Sequence, residues 1–242
     1  LGLNEPHLIA PLHCGLHHHH CCVASLTRGL IQLAETAVMV DQTDGSVTVN
    51  LYIPGTAEIA LPSGQKLTLE VKTSYPESGE VRLHITVPDP VSVPIKVRIP
   101  PWSKITRLAT NGETTGEPSP GQYAAILREW HTGDEITLST DVEPRLVTPL
   151  DGSHYTAAMS GPVVLARSAL LEEGDLNASV DPAVDASGNA IVRRVPSPEG
   201  IWMAFELKDK VGAAIPLCDY ASTGKTYRKP EDPNAGKPML DS

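Results

Sequence analysis

The residues best equipped for chemistry lie together near the start of the chain, in the run HHHHCC at positions 17–22. A thiolate is the nucleophilic and metal-binding form of cysteine, and both helix N-termini and metals lower the thiol pKa. A tetrahedral zinc site needs four Cys, His, Asp or Glu ligands, so Cys21 and Cys22 supply at most half of one. Adjacent histidines cannot all converge on one metal. The run therefore predicts half of a metal or catalytic site.

The same residues allow two plainer interpretations, which the run alone leaves open. Free cysteine is among the most buried residue types, so Cys21 and Cys22 fit core positions at the start of a helix. The four histidines fit surface imidazoles that bind metal incidentally, or the remainder of a purification tag. A histidine- and cysteine-rich metal-binding protein without sugar chemistry is one class that this pattern permits.

Other candidate groups are weaker. Paired carboxylates are the usual signature of a glycosidase, but Asp134-Glu135 and Glu172-Glu173 lie in or beside turns, which favours a solvated surface. Trp102 and Trp130 are suited to stacking on sugars, yet aromatic residues make up only 4% of the chain, which favours a role in packing. No phosphate-binding loop, nucleophile elbow or dinucleotide fingerprint is present in the sequence.

Composition excludes several classes of function. The net charge of −10 argues against a nucleic-acid or anionic-membrane surface, and no apolar run approaches the ~20 residues of a membrane span. The four cysteines do not form a convincing disulfide framework, although a Cys14–Cys218 bridge stays open. Since the chain begins at Leu1 without a signal-peptide pattern, we expect a fragment and leave the location open between a bacterial cytoplasm and periplasm.

Hydrophobic periodicity changes once along the chain. Apolar residues recur at spacings of three and four over residues 23–40, which predicts one long amphipathic helix. From Ser46 onward the period is two, with turn signals between the runs, which is typical of an antiparallel β-sandwich. The alternation pauses near Glu143, and a second β-rich unit with longer loops follows.

The order of these pieces resembles a known family. A Cys-Cys pair opens a helix and is followed by DGSVTVNLYIPGTAEIAL, VRIPPWSK, LATNGE, YAAILREWHTGDEITL, EPRLV and GPVVLA, with IPLCDY further on. This succession resembles glycoside hydrolase family 127, the β-L-arabinofuranosidase-like enzymes. The resemblance covers residues 20 to about 170 well and the remainder loosely.

The resemblance implies a mainly β fold: two consecutive antiparallel β-sandwich domains preceded by a remnant helix of an α/α toroid. The implied domains are the toroid remnant at residues 1–42, a middle β-sandwich at 43–145, and a C-terminal β-sandwich with a flexible tail at 146–242.

The resemblance also implies roles for the run at positions 17–22. Cys21 would be the nucleophile of a retaining mechanism and a zinc ligand, and Cys22 a second zinc ligand. The other ligands, a Glu and a Cys, and a Glu acid/base would lie upstream of this chain. His19 and His20 are candidate substrate residues that line the sugar pocket beside the cysteine pair.

The predicted function is therefore the C-terminal part of a retaining glycoside hydrolase acting on β-L-arabinofuranosides or related plant-glycan sugars. We expect the full-length protein to be the enzyme and this chain alone to be inactive. The alternative is a non-catalytic β-sandwich module that binds carbohydrate or is purely structural. The expected partner is a plant-glycan oligosaccharide, with neither nucleic acid nor membrane, and a homodimer is left open.

Overall fold

The computed structural model describes residues 20–148, 156–172, 175–176 and 178–223. Within these ranges the chain is mainly β, as predicted, and it divides into two compact units. The first unit is Leu26–Val142, and the second combines Leu1–Ser25 with Glu143–Ser242. The predicted domains at residues 1–42, 43–145 and 146–242 stay a prediction.

The described chain opens with one long helix, α1 (His20–Ala37). The strands of the first unit follow in this order: β1 (Val38–Val40), β2 (Val47–Val49), β3 (Gly55–Ala60), β4 (Lys66–Thr73), β5 (Glu80–Thr86), β6 (Val91–Arg98), β7 (Thr106–Thr110), β8 (Glu113–Gly116), β9 (Tyr123–Trp130) and β10 (Glu135–Thr140).

These ten strands form two sheets around one core. One sheet has the order β1-β2-β6-β9 and the other the order β3-β4-β5-β10-β7-β8. Every pairing is antiparallel except that of β2 with β6, where Val47 lies opposite Ile95 in a parallel register. The core consists of Val, Leu and Ile side chains from both sheets together with the fully buried Trp130.

Alternation along each strand accounts for this core. In β5, Val81, Leu83 and Ile85 are buried, while the residues between them face outward. Each fully buried aliphatic side chain of this kind contributes about 1.5–3 kcal/mol relative to exposure. A one-residue slip of the strand would turn all three to solvent, so burial also determines the register.

The second unit contains a single described sheet. Its elements are β11 (Pro144–Val147), β12 (Ala157–Ser160), β13 (Val163–Ala166), β14 (Val192–Val195), β15 (Ala204–Lys208), β16 (Ala214–Asp219) and the short helix α2 (Tyr220–Thr223). The antiparallel order is β11-β12-β13-β16-β15-β14. Cα atoms of the two edge strands, β11 and β14, approach within 8 Å, so the sheet curls around its own core.

Two details differ from the sequence prediction. The helix ends at Ala37 rather than at residue 40, because the β-branched segment Val38–Val40 pairs with Val47–Val49 instead. The alternation did not predict β3, β7, β8, β9, β11 and β12. In β3 and β9, alanines at alternate positions, such as Ala57 and Ala124, weaken the apolar period. Among the described helices, none combines the length and hydrophobicity that crossing a bilayer requires.

Candidate functional site

The predicted nucleophile and ligand, Cys21 and Cys22, lie in the first turn of α1, which begins at His20. The first four N–H groups of a helix have no intrahelical acceptor and give its N-terminus a partial positive charge, which favours a thiolate. The structure describes only the backbone at these three positions, and His19 lies outside the described residues. The functional roles of all four residues stay predictions.

The described residues contain no group of three or more His, Cys, Asp or Glu side chains placed to hold a metal. The ligands that would complete a zinc site at Cys21 and Cys22 stay a prediction.

The C-terminal end of α1 is hydrogen-bonded to the loop that follows β2 in the first unit. The backbone N–H groups of Asn50 and Leu51 both donate to the carbonyl oxygen of Ala37, at 2.8 and 3.3 Å. The Asn50 side chain donates through Nδ2 to the Thr36 carbonyl at 2.9 Å, and its Oδ1 accepts from the Tyr123 hydroxyl at 2.6 Å. These bonds satisfy carbonyl groups that a helix C-terminus leaves without a partner. The cysteine-bearing helix is thus anchored to the sandwich.

Three large apolar side chains of α1 are exposed among the described residues. Leu30, Ile31 and Leu33 are 60%, 59% and 45% exposed. Two of these, Leu30 and Leu33, belong to the apolar stripe that predicted the helix. Contiguous exposed apolar side chains of this size are typical of a surface that another element covers.

Tyr52, which lies shortly after β2, forms an aromatic cluster with Tyr75 and Trp102. Tyr52 meets Tyr75 edge-on with ring centroids 5.7 Å apart, and Tyr75 stacks on Trp102 at 6.4 Å. The Tyr52 hydroxyl donates to the Arg98 carbonyl. Burial raises the pKa of Tyr52 and of Tyr75, so both phenols keep their protons. Trp102 packs in this cluster and is half-buried.

The second candidate sugar platform, Trp130, is fully buried. Its Nε1 donates to the Val93 carbonyl at 2.8 Å, and the Arg128 guanidinium lies 5.3 Å from the centre of its ring. No face of this indole is available to a sugar. The packing role that the composition favoured is correct for Trp130.

The first carboxylate pair serves the sandwich. Asp134 is buried and accepts from Asn111 Nδ2 at 2.7 Å and from the His131 N–H at 2.8 Å. Glu135 pairs with Nδ1 of His84 on the neighbouring strand at 3.2 Å. The expectation of a solvated surface is therefore wrong for Asp134, because the two turns that it joins enclose it.

Glu172, from the second carboxylate pair, and Cys218 also have roles in the structure. Glu172 accepts from Arg167 Nε at 2.6 Å, and Glu173 lies outside the described residues. Cys218 is buried and free, and the other half of the bridge left open, Cys14, lies outside the described residues. Burial and the neighbouring Asp219 raise the pKa of the Cys218 thiol, against a hydrogen bond with Ser168 that lowers it. A thiol with a raised pKa is a poor nucleophile.

Comparison with solved structures agrees with this architecture. A GH127 β-L-arabinofuranosidase from Geobacillus stearothermophilus T6 aligns with a TM-score of 0.68 at 18% identity, over 84% of this chain and 35% of that one. A glycoside hydrolase aligns at 0.71 and 22% identity, over 87% and 38%. A further GH127 β-arabinofuranosidase aligns at 0.61 and 23% identity, over 74% and 33%. These likenesses show a shared fold, and the chain spans roughly a third of the length of these relatives.

Sequence comparison gives a family match within the first unit. No curated protein sequence matches the chain significantly. Residues 46–142, however, match the family model described as "Beta-L-arabinofuranosidase, GH127 middle domain". This range coincides with strands β2 to β10. The resemblance to GH127 β-L-arabinofuranosidases that the sequence predicted is confirmed over residues 46–142, the range that matches the GH127 middle domain.

Proposed function

We propose that this chain is the C-terminal part of a retaining glycoside hydrolase that acts on β-L-arabinofuranosides or related plant-glycan sugars. One observation carries the proposal: the helix that begins with His20, Cys21 and Cys22 runs without a loop into β1, which pairs with β2 of the region that matches the GH127 middle domain. A reactive cysteine pair and a family-specific domain are thereby adjacent in the sequence and linked by backbone hydrogen bonds.

In this proposal the Cys21 sulfur attacks the anomeric carbon of the sugar. The carbon–sulfur bond forms as the bond to the leaving-group oxygen breaks, and a carboxylic acid outside this chain protonates that oxygen. Water, deprotonated by the same carboxylate, then displaces the sulfur and releases the sugar with its configuration retained. The positive end of α1 favours the thiolate that begins and ends this cycle.

Zinc fits the pair in part. Thiolates are preferred zinc ligands, but Cys21 and Cys22 fill only two of four positions, and the described residues offer no cluster that completes them. When bound, zinc would hold sulfur in its deprotonated form. We therefore propose that the remaining ligands and the proton donor come from an upstream region. His19 and His20 precede the pair and would contact the sugar.

The surface of α1 supports an upstream partner domain. Leu30, Ile31 and Leu33 are exposed in the described chain, and an amphipathic helix normally buries such a face against its own protein. The part of this chain that aligns with the solved relatives covers only 33–38% of their length, so each relative has a large region with no counterpart here. We propose that an upstream α-helical domain covers this face and completes the active site.

The test compares three proteins on nitrophenyl β-L-arabinofuranoside: the full-length protein, its Cys21→Ala variant and this 242-residue chain. We expect the full-length protein alone to release nitrophenol, with kcat lowered by at least about 10³-fold in Cys21→Ala, because the nucleophile is lost. Metal analysis should find zinc in the full-length protein and less of it in Cys22→Ala.

The matched control is Cys218→Ala, since Cys218 is a buried free thiol in the second unit. It should keep its activity. Turnover by the 242-residue chain that depends on Cys21, or full activity in the Cys21→Ala full-length protein, would refute the proposal.

The alternative function is a non-catalytic β-sandwich module. One observation favours it: among the described side chains, the hydrophobic core of the first unit contains no residue of α1. Sugar binding without hydrolysis by the full-length protein would support this alternative.

A further inference from the structure

We propose that the second unit carries a binding site for carboxylate-bearing sugars, such as hexuronates in an acidic oligosaccharide. The site is a groove on the outer face of β14, β15 and β16, which we call the β14–β16 groove. It has a volume of about 400 Å³ and is lined by Ile191, Arg193, Glu206, Lys208, Gly212 and Ala214. Ligand pockets typically measure about 300–1,000 Å³. The proposal does not depend on the hydrolase activity.

The sheet register places the side chains that line the groove beside one another on neighbouring strands. Arg193 on β14 lies directly opposite Glu206 on β15, and its Nη2 donates to Glu206 Oε1 at 2.8 Å. Lys208, two residues further along β15, has Ala214 of β16 on one side. On the other side, its N–H donates to the Ile191 carbonyl at 2.9 Å. Alternate residues of a strand share one face, so these side chains line the same surface.

The open space arises from side-chain size. Ala214 and Gly212 are small, whereas the side chains of Arg193, Glu206 and Lys208 are long and form charged walls. Gly212 belongs to the turn between β15 and β16 and has a φ of +90°, a conformation that favours glycine. Ala213 closes that turn by donating its N–H to Asp209 Oδ1 at 2.7 Å. The shape of the groove therefore results from a defined turn.

The other end of the same sheet face is covered. Ile201, Ala204 and Cys218 are buried there in a small apolar cluster, against which Leu171 and Val195 pack. The groove begins where this apolar cover stops and charged side chains replace it. The outer face is thus divided into a closed apolar part and an open polar part.

The charges in the groove select the ligand. Glu206 binds Arg193 through Oε1, so its second oxygen can accept a hydrogen bond from a sugar hydroxyl. No carboxylate among the described residues forms an ion pair with Lys208. Its ammonium group is available to an external carboxylate. The aliphatic Ile191 and Ala214 offer a surface to the C–H groups of a sugar ring.

The net charge of the whole chain makes this selectivity informative. With a net charge of −10, the protein repels acidic polymers in general. Binding of an acidic sugar would therefore have to arise from a local cationic site. Neutral sugars would lack a partner for Lys208 and should bind more weakly.

The experiment titrates the 242-residue chain with trigalacturonic acid and, as the matched ligand, with its methyl ester, which keeps the hydroxyl pattern but has no charge. Calorimetry should give a Kd for the acid at least about tenfold lower than for the ester, as expected for charge-assisted hydrogen bonds. Amide NMR signals of Gly212 and Ala214 should shift on addition of the acid.

The variants are Lys208→Gln and the matched control Lys210→Gln. Lys210 lies two residues away, is paired with Asp181 at 2.8 Å and does not line the groove. Lys208→Gln should weaken acid binding about tenfold and leave ester binding unchanged, while Lys210→Gln should leave both unchanged. Equal binding of acid and ester, no binding of either, an equal effect of the two variants, or shifts elsewhere only would overturn the proposal.

Discussion

At the scale of single residues, the polar groups that resemble catalytic carboxylates serve mainly to hold turns together. Asp134 shows this most clearly, because its two carboxylate oxygens connect the turn before β10 to the β7–β8 turn at Asn111. Asn111 adopts a φ of +51°, and its Oδ1 accepts the Glu135 N–H at 2.8 Å. A carboxylate with several donors around it stabilises the fold through its ionised form.

Replacing Asp134 by Asn should therefore destabilise the protein. The introduced amide keeps one acceptor oxygen but places its NH2 group against either the Asn111 Nδ2 or the His131 N–H, and we expect a loss of about 1–3 kcal/mol in the free energy of unfolding. Thermal unfolding at neutral pH measures this loss of stability. Asp89→Asn, at an exposed turn position, is the control and should change stability little.

The pH dependence of this loss follows from the pKa of Asp134. Burial raises that pKa, but the hydrogen bonds from Asn111 and His131 and the charge of Arg128 outweigh it, so the pKa lies below its ordinary value of 3.8. The stability from ionised Asp134 is then complete above pH 3.8 and is lost as the pH falls through the lowered folded pKa. The difference between wild type and Asp134→Asn should shrink in acid. A difference that is constant from pH 7 to below that pKa would contradict this account.

At the scale of elements, α1 is held at its C-terminal end but exposes several large apolar side chains. Its C-terminal end is bonded to the sandwich through Asn50, whereas Leu30 and Leu33 remain exposed. A helix in water gains most of its stability from packing its apolar face. The element therefore depends on a surface beyond the described residues.

The double substitution Leu30→Ala and Leu33→Ala tests this dependence. In the 242-residue chain the free energy of unfolding should change by less than about 0.5 kcal/mol, as is usual at exposed positions. In the full-length protein each buried leucine should cost about 2–5 kcal/mol. Val211→Ala, at a position 88% exposed, should be neutral in both proteins. An equally small effect of the leucine substitutions in both would exclude a covering domain.

At the scale of the whole molecule, the chain consists of two units with separate cores. Every member of the main core cluster lies between Val47 and Leu138, within the first unit. The clusters of the second unit run from Leu165 to Cys218. Because no described sheet mixes strands of the two units, each unit contains the partners that its own strands need.

A chain of residues 26–142 should accordingly fold by itself. We expect one cooperative thermal transition and well-dispersed amide NMR signals, since its sheets and core are complete. The same chain with Trp130→Ala is the control, because removing a fully buried indole costs about 3–5 kcal/mol and should abolish or greatly weaken folding. A non-cooperative transition in the unsubstituted 26–142 chain would show that the first unit needs the second.

The sequence by itself determined the fold class, the resemblance to GH127 and the position of the cysteine pair at a helix start. Each of these depends on local information: the alternation of Val81, Leu83 and Ile85 specifies a strand and its buried face, and the period after residue 22 specifies a helix. The resemblance to GH127 was inferred from the order of short motifs, and that order can be read without knowing which residues are in contact.

The tertiary structure alone decided which segments meet. Val38–Val40 became a strand because Val47–Val49 lies beside it, and Asp134 became buried because the Asn111 turn folds over it. The β14–β16 groove likewise has no signature in the sequence, since Arg193 and Glu206 become neighbours only through strand pairing. Such contacts join residues that are distant along the chain, and a local pattern does not encode which distant segment will supply the partner.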